Sequence, residues 1–263
     1  MIYQKFIPEG WNETEASSFD FETDKSKVFQ GIVKRFDEKN NLFVKFGANN
    51  GIIPSDQIEG LYLDSDGNIK TKVVRNKLNK YVQFKVMDID ENGNYVLSRK
   101  VVQKEALNWF ENETKKGDII EGIVTNIRPY GAFVEVGGGV VGLLHIEDMS
   151  ISRIKSPEER FKVGEHINVM IKSINDDRIE LTYKELLGTW DDNIKEFEEK
   201  KTYNGIVRNC DSNKKGIFIE LKPNLVGMAE YSENIEYGKD VSVYIKKIDY
   251  EKKKIKLIIK DNN

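Results

Sequence analysis

Residues 128–136 read Arg128-Pro129-Tyr130-Gly131-Ala132-Phe133-Val134-Glu135-Val136. Neighbouring side chains of a β-strand point to opposite faces, so small and branched residues at every second position predict one buried face. Those residues are Ala132, Val134 and Val136, which leaves Phe133 and Glu135 on the outward face. The stretch therefore predicts a strand that presents an aromatic ring and a carboxylate to solvent.

The same pattern occurs once earlier and once later in the chain. The earlier copy is Leu42-Phe43-Val44-Lys45-Phe46, and the later copy is Ile217-Phe218-Ile219-Glu220-Leu221. In each copy the phenylalanine, Phe43 or Phe218, is outward, and so is the charged residue two positions later. Three outward aromatic residues in the same phase favour a shared function over chance.

The chain contains three repeats, which open with Gly-Ile-Val at Gly31, Gly122 and Gly205. The openings lie 91 and 83 residues apart, spacings that are too long for a solenoid and suit small tandem domains. In the middle repeat, alternating apolar and polar residues predict strands over 119–128, 131–137, 141–145, 166–174 and 178–183. Five short strands with glycine-rich turns and little helix between them predict a small closed barrel.

The predicted fold class is all-β, with three tandem five-stranded barrels joined by short helical linkers. Apolar residues at spacings of three and four predict amphipathic helices in the linkers, with Trp109 and Trp190 packing onto a barrel. The predicted divisions are a tail over 1–26, a first barrel over 27–103, a linker over 104–116, a second barrel over 117–187, a linker over 188–199 and a third barrel over 200–263.

The tail, residues 1–26, mixes five aromatic residues with six acidic ones and follows neither the helical nor the strand period. Two interpretations of this extended segment stay open. It is either disordered or a docking segment that folds onto a partner, since solvated linkers seldom carry five aromatic residues.

Composition indicates a soluble, cytoplasmic protein. The sequence is 39% hydrophobic and 32% charged, has no apolar run long enough to cross a bilayer, and lacks the apolar core of a secretory signal at its N-terminus. Its single cysteine, Cys210, cannot form an internal disulfide, which suits a reducing compartment. No membrane association is expected.

Charge and residue types argue against an enzyme. Two histidines and one cysteine cannot build a Cys/His zinc cluster, and the sequence holds no phosphate-binding loop or nucleophile elbow, so no metal or cofactor is expected. The net charge is −3, although the first and third repeats are basic and the middle repeat and tail are acidic. Any nucleic-acid binding would therefore depend largely on stacking.

The middle repeat resembles the S1 RNA-binding domain, and the chain as a whole resembles a short, three-repeat member of the bacterial ribosomal S1 family. The similarity extends over about 70 residues in the middle repeat and is weaker over 27–103 and 200–260. It rests on Gly122-Ile123-Val124, Tyr130-Gly131-Ala132-Phe133-Val134, Gly142-Leu143-Leu144-His145-Ile146, Asp148-Met149-Ser150, Arg153-Ile154-Lys155 and Phe161-Lys162-Val163-Gly164-Glu165.

The resemblance implies oligonucleotide-binding (OB) barrels with an aromatic and basic face that binds single-stranded RNA. Aromatic rings and histidine stack on splayed bases, and arginine both stacks and holds phosphate. Each residue also has a structural interpretation, as a half-buried strand aromatic, a structural histidine or a solvated arginine. The implied binding residues are Tyr130, Phe133, His145, Arg178, Asp176 and Arg153, with Phe43 and Phe218 in the outer repeats.

The outer repeats depart from this pattern. Pro54 in the first repeat and Glu230 in the third stand opposite His145. Within the middle repeat itself, Ile151 stands where S1 repeats often carry an aromatic residue. The middle barrel is therefore expected to hold the best RNA site, while the outer barrels add positive charge or dock to protein.

The function that follows is non-catalytic binding of messenger RNA in translation, with the small ribosomal subunit as a partner. Two alternatives stay open at this point. One is an RNA-binding regulator of stress, virulence or RNA turnover, and the other is a protein-interaction scaffold that uses the barrels as platforms.

Overall fold

The structure is a computed structural model that describes residues 4–12, 26–59, 69–175, 178–210, 216–232 and 235–260. It is built mostly of strands, which form three closed five-stranded barrels. In the described part of the chain, no helix is both long and apolar enough to cross a membrane. The predicted fold class is confirmed.

The first barrel has the strand order β1-β2-β3-β5-β4. Its core is aliphatic with two aromatic residues, Phe46 and Phe84, whose rings meet edge to face at 5.0 Å. A short helix, α1 (Thr71–Arg75), lies between the third and fourth strands. The strands are β1 Phe29–Phe36, β2 Leu42–Phe46, β3 Asn49–Ile53, β4 Tyr81–Ile89 and β5 Tyr95–Ser98.

The middle barrel has the strand order β10-β8-β7-β6-β9, and its five strands match the sequence prediction to within one residue at each end. The segment between the third and fourth strands contains two 3₁₀ turns, Ile146–Asp148 and Pro157–Glu159. The strands are β6 Ile119–Arg128, β7 Gly131–Gly137, β8 Val140–His145, β9 His166–Asn175 and β10 Arg178–Thr182.

The third barrel repeats the order of the first, β11-β12-β13-β15-β14. Its aliphatic core also takes in Ile194 and Phe197 from the preceding linker. The strands are β11 Thr202–Cys210, β12 Ile217–Lys222, β13 Leu225–Ala229, β14 Asp240–Asp249 and β15 Lys254–Lys260.

The glycine that opens each repeat lies where the first strand passes close to the second. A Cβ atom on Gly122 would lie 2.4 Å from Cγ1 of Val134, and one on Gly205 would lie 2.5 Å from Cγ2 of Ile219. On Gly31 it would lie 2.6 Å from the carbonyl oxygen of Lys45. Because no side chain fits at these distances, the close approach of the two strands explains the Gly-Ile-Val signature.

The linkers differ from each other. The first is the long helix α2 (Arg99–Glu113), which follows β5 directly and is capped by Ser98, whose side chain accepts from the Val101 N–H at 3.2 Å. The second is broken into 3₁₀ turns around the four-residue helix α3 (Trp190–Asn193), after Gly188 at φ 77°. Trp109 is buried, and Trp190 packs against the core of the third barrel.

The described part of the tail, residues 4–12, packs against this chain itself, which neither interpretation of the tail anticipated. Phe6 is buried, and the Gln4 side-chain amide donates to the carbonyl of Val136 at 2.6 Å. Trp11 stacks on His166 with 4.5 Å between ring centroids. Residues 13–25 of the tail lie outside the described residues.

By compactness the chain divides into two units. The first comprises Met1–Asn126, Phe133–Leu143 and Lys162–Glu180, and the second comprises Ile127–Ala132, Leu144–Phe161 and Leu181–Asn263. The division runs through the sequence of the middle barrel, so the domain boundaries drawn from the repeats stay a prediction.

Candidate nucleic-acid interface

Tyr130 and Phe133 of the middle repeat lie at and just after the turn between β6 and β7. Tyr130 is 49% exposed, and Phe133 is half-buried on β7. The two residues between them, Gly131 and Ala132, are small and buried, which keeps bulky side chains away from the rings. The Thr125 hydroxyl donates to the Phe133 carbonyl at 3.1 Å and holds this part of β7 to β6.

His145 is the last residue of β8, and its side chain is 42% exposed. Its Nδ1 accepts from the Glu147 N–H at 3.4 Å and caps the following 3₁₀ turn. In the neutral imidazole this leaves the proton on Nε2, which is then the donor. The N–H of Ile146 donates to the Tyr130 carbonyl at 2.9 Å and joins the end of β8 to the β6–β7 turn.

Arg178 is the first residue of β10 and is exposed. Because β10 neighbours β8, and β8 neighbours β7, the barrel carries Arg178, His145 and Phe133 on three adjacent strands. Arg153 is exposed on the segment between β8 and β9. Asp176 lies outside the described residues.

The phenylalanines of the outer barrels differ in their surroundings. Phe43 is half-buried, and the Arg35 guanidinium carbon lies 3.4 Å from its ring centroid, in cation–π geometry. Phe218 is 41% exposed. The outward direction predicted for both rings agrees with the alternating burial of their strands.

The prediction that Glu135 is exposed is wrong, because residues 4–12 cover it and leave it only 3% exposed. Its carboxylate accepts from the N–H groups of Glu9 at 2.7 Å, Gly139 at 2.7 Å and Gly137 at 3.1 Å. Burial, followed by the negative charge of Glu9, raises the pKa of Glu135 to about 8. Arg99 pairs with Glu9, with 2.7 Å between Nε and Oε1.

Glu220, also expected to face solvent, is 5% exposed. Its carboxylate accepts from Arg160 and Arg208, each at 2.6 Å, and Arg208 also pairs with Glu159. Burial by itself would raise the pKa of Glu220, but the hydrogen bonds from Arg208 and Arg160 outweigh it and hold the pKa below its usual value. Tyr237 completes the network by donating to Glu159 at 2.8 Å.

These two buried networks were missed at the sequence level. Their members are distant in sequence, for example Glu9 and Arg99 or Arg160 and Glu220. No local periodicity links such pairs. Within the described residues, no group of three or more His, Cys, Asp or Glu side chains is arranged to hold a metal ion.

A closed five-stranded barrel that exposes aromatic and basic side chains on adjacent strands is the arrangement of the nucleic-acid-binding OB class. The S1 RNA binding domain family matches residues 113–184, which include the whole middle barrel.

Two relatives extend the match beyond the middle barrel. The small ribosomal subunit protein bS1 of Staphylococcus saprophyticus is 34% identical, over 95% of this chain and 68% of that protein. The bS1 protein of Staphylococcus aureus strain COL is 32% identical, over 84% of this chain and 59% of that protein. The chain therefore belongs to the family of the small ribosomal subunit protein bS1.

Among solved structures, a multidomain protein with nucleic acid binding domains from Streptococcus pneumoniae aligns with 92% of this chain and 75% of its own, at 14% identity. The TM-score is 0.29, so this match carries no weight for the function.

Proposed function

We propose that this protein binds single-stranded RNA without catalysis and acts in translation in the cytoplasm, holding messenger RNA at the small ribosomal subunit. The RNA contact is the outer face of the middle barrel, formed by Tyr130, Phe133, His145 and Arg178. Arg153 and Asp176 belong to the same proposal. Family membership supports the place in translation, and the geometry of the middle barrel supports the binding mode.

The exposed ring of Tyr130 is the observation that carries this proposal. An aromatic side chain with half its surface in water gains little from packing, whereas base stacking on such a ring contributes roughly 1 to 3 kcal/mol per base. Phe133 on the adjoining strand adds a second ring. The exposed guanidinium of Arg178 supplies a cation for phosphate on the same barrel.

Fluorescence anisotropy with a labelled unstructured RNA tests the proposal. The double variant Tyr130→Ala/Phe133→Ala should bind on the order of tenfold more weakly, because it removes two stacking surfaces. Val163→Ala is the matched control, since Val163 is an exposed apolar residue of the same barrel.

Duplex DNA of the same length serves as a second ligand and should bind more weakly than the RNA. Circular dichroism melting of each variant checks that the barrels remain folded. Equal affinities for wild type, the double variant and the control would contradict the proposed site.

A second candidate, protein docking, is favoured for the first barrel. Arg35 lies over one face of the Phe43 ring. Strand pairing places apolar Ile52 beside Phe43 and apolar Val96 beside Ile52. Acidic Asp88 is paired with Val96 at the end of this row. An apolar surface that ends in a carboxylate is poorly suited to phosphate. Unchanged RNA affinity in Phe43→Ala supports protein docking by the first barrel. A loss of RNA affinity similar to that of Tyr130→Ala/Phe133→Ala contradicts it.

A further inference from the structure

The segment that leads into the fourth strand of the first barrel is strongly basic. Residues 69–80, which include helix α1, contain five cations, no acidic residue and no aromatic residue. The corresponding twelve residues of the middle barrel, 154–165, contain three cations and three acids, and those of the third barrel, 228–239, contain one cation and three acids. The basic segment is therefore specific to the first barrel.

The segment is fixed to the barrel by its buried side and by its backbone. Val74 of α1 is fully buried in the core of the first barrel. The Asn79 N–H donates to the Val33 carbonyl at 2.8 Å, and the Val33 N–H donates to the Lys80 carbonyl at 3.0 Å. These bonds join the end of the segment to β1, so its exposed side chains extend from a backbone that the barrel holds in place.

Four of the five cations face water. They are Lys70, Lys72, Arg75 and Lys80. None of the four has an ion-pair partner among the residues that the structure describes. The fifth, Lys77, is partly buried, and burial, followed by the charge of Arg99, lowers its pKa. The four exposed charges are therefore not used by ion pairs within the described part of the chain.

The uncharged polar residues of the segment can also donate hydrogen bonds to an anion. Thr71, Asn76 and Asn79 are exposed alongside the cations. Hydroxyl and amide groups, together with lysine and arginine, are the groups that contact phosphate and sugar oxygens in complexes with nucleic acids. Residues 69–80 thus offer several donors to an anionic ligand and no carboxylate that would repel it.

The absence of aromatic residues distinguishes this surface from the stacking face of the middle barrel. A single strand is bound largely through bases that stack on aromatic rings, which residues 69–80 lack. An RNA duplex keeps its bases paired and is recognised through phosphates and 2′-hydroxyl groups. Each phosphate contact on a duplex also releases more counterion than one on a single strand. The chemistry of the segment therefore fits a duplex better than a single strand.

We propose that residues 69–80 of the first barrel bind the phosphate backbone of double-stranded RNA, with Lys72 and Arg75 of α1 as the central contacts. Lys70 and Lys80 extend the contact along the chain on either side. The inference goes beyond the proposed function, because it concerns another barrel, another form of RNA and a contact without stacking. One chain then binds structured RNA with its first barrel and an unpaired strand with its middle barrel.

Fluorescence anisotropy of the full chain with a labelled blunt-ended RNA duplex tests this contact at several salt concentrations. Lys72→Gln/Arg75→Gln should reduce the slope of log affinity against log salt by about 1.8, since each phosphate contact on a duplex contributes about 0.9. At ~0.1 M salt this variant should bind the duplex on the order of tenfold more weakly. Lys72→Arg/Arg75→Lys keeps both charges and should retain most of the affinity.

A matched variant and a second ligand complete the experiment. Lys100→Gln/Lys104→Gln removes the same charge from exposed positions of helix α2, and it should change neither the slope nor the affinity for the duplex appreciably. The labelled unstructured RNA is the second ligand, and Lys72→Gln/Arg75→Gln should weaken its binding less than about twofold, because stacking on the middle barrel is intact. Circular dichroism melting checks that each variant is folded.

The outcomes separate this contact from the proposed function. Wild type that binds the unstructured RNA but not the duplex overturns the contact and leaves the proposed function standing. Wild type that binds the duplex but not the unstructured RNA contradicts the proposed function, while a specific loss in Lys72→Gln/Arg75→Gln still supports the contact.

Three further results would overturn the contact even if wild type binds both RNAs. Equal losses in Lys72→Gln/Arg75→Gln and Lys100→Gln/Lys104→Gln would show a general effect of charge. Equal losses for both RNAs in Lys72→Gln/Arg75→Gln would assign the segment to the path of the single strand. Poly-glutamate that displaces the duplex as well as unlabelled duplex does would show a surface for acidic protein segments.

Discussion

Glu135 of the middle barrel and Glu220 of the third occupy the same strand position, two residues after the outward phenylalanine, yet their pKa values shift in opposite directions. Both carboxylates are covered by another segment of the chain. Glu135 meets backbone N–H groups and a second carboxylate, whereas Glu220 meets two guanidinium groups. The comparison shows that burial alone does not set the protonation state of a carboxyl group, because the charge of the covering segment decides it.

Of the substitutions considered, replacement of Glu220, which pairs with two arginines, should lower the free energy of unfolding most. Glu220→Ala leaves Arg160 and Arg208 buried without their common partner, so we expect the free energy of unfolding to fall by about 3 kcal/mol. Urea denaturation followed by circular dichroism measures the change. Glu158→Ala is the control, because Glu158 is exposed on the same covering segment and its loss should cost less than ~0.5 kcal/mol. Similar losses in both variants would show that the buried pair does not stabilise the third barrel.

Residues 4–12, which cover Glu135, can be displaced by a substitution at Gly137, which lies against Phe6. Gly137 has φ 135°, and a Cβ atom there would lie 2.0 Å from the Phe6 carbonyl oxygen, so Gly137→Ala should push residues 4–12 away. We expect a loss of about 2 kcal/mol. Gly117→Ala shares the positive φ but meets nothing within 4 Å, and it should lose about 1 kcal/mol from backbone strain alone. Equal losses would mean that the contact with Phe6 contributes nothing.

The third effect, at most ~1.4 kcal/mol for each pH unit, is on the pH dependence of stability. A carboxyl group whose pKa is raised on folding stabilises the folded state below its unfolded value, and this contribution is lost as pH rises through the folded value of about 8. From about pH 5 to pH 8, stability should therefore fall by at most ~1.4 kcal/mol per pH unit.

The matched measurement is a urea denaturation series for wild type and Glu135→Gln over this range. The variant should show a flatter dependence because it has no proton to lose. Glu220, whose pKa is lowered, acts in the acidic range below about pH 4.5, where its stabilisation is lost as pH falls. Parallel wild-type and variant curves would mean that Glu135 stays ionised in the folded protein.

Much of the fold could be predicted because the signals are local. Alternation of apolar and polar residues along the middle repeat predicted the five strands of its barrel, and the glycines at the repeat openings lie where the first two strands approach closely. The second linker was less predictable. Its apolar spacing is helical, but Gly188 with its positive φ interrupts it before the four-residue helix.

The candidate site was predicted from sequence only in part. The positions of Tyr130, His145 and Arg178 on or beside exposed strand ends agree with the expected RNA face, whose binding role stays a prediction. The pairing of Lys247 with Lys256 was not predicted from the sequence, because it depends on a shift of strand register that alternation alone does not reveal.

The sequence by itself determined the three barrels, the order of their strands along the chain and the outward phenylalanine in each, because alternation and glycine placement act within a few residues. Tertiary structure alone decided what covers the outward carboxylates of the middle and third barrels and which lysines meet across the third. Those contacts join Glu9 to Glu135 and Arg160 to Glu220 over long stretches of chain. Their energies depend on desolvation and charge at the contact, which exist only once the chain has folded.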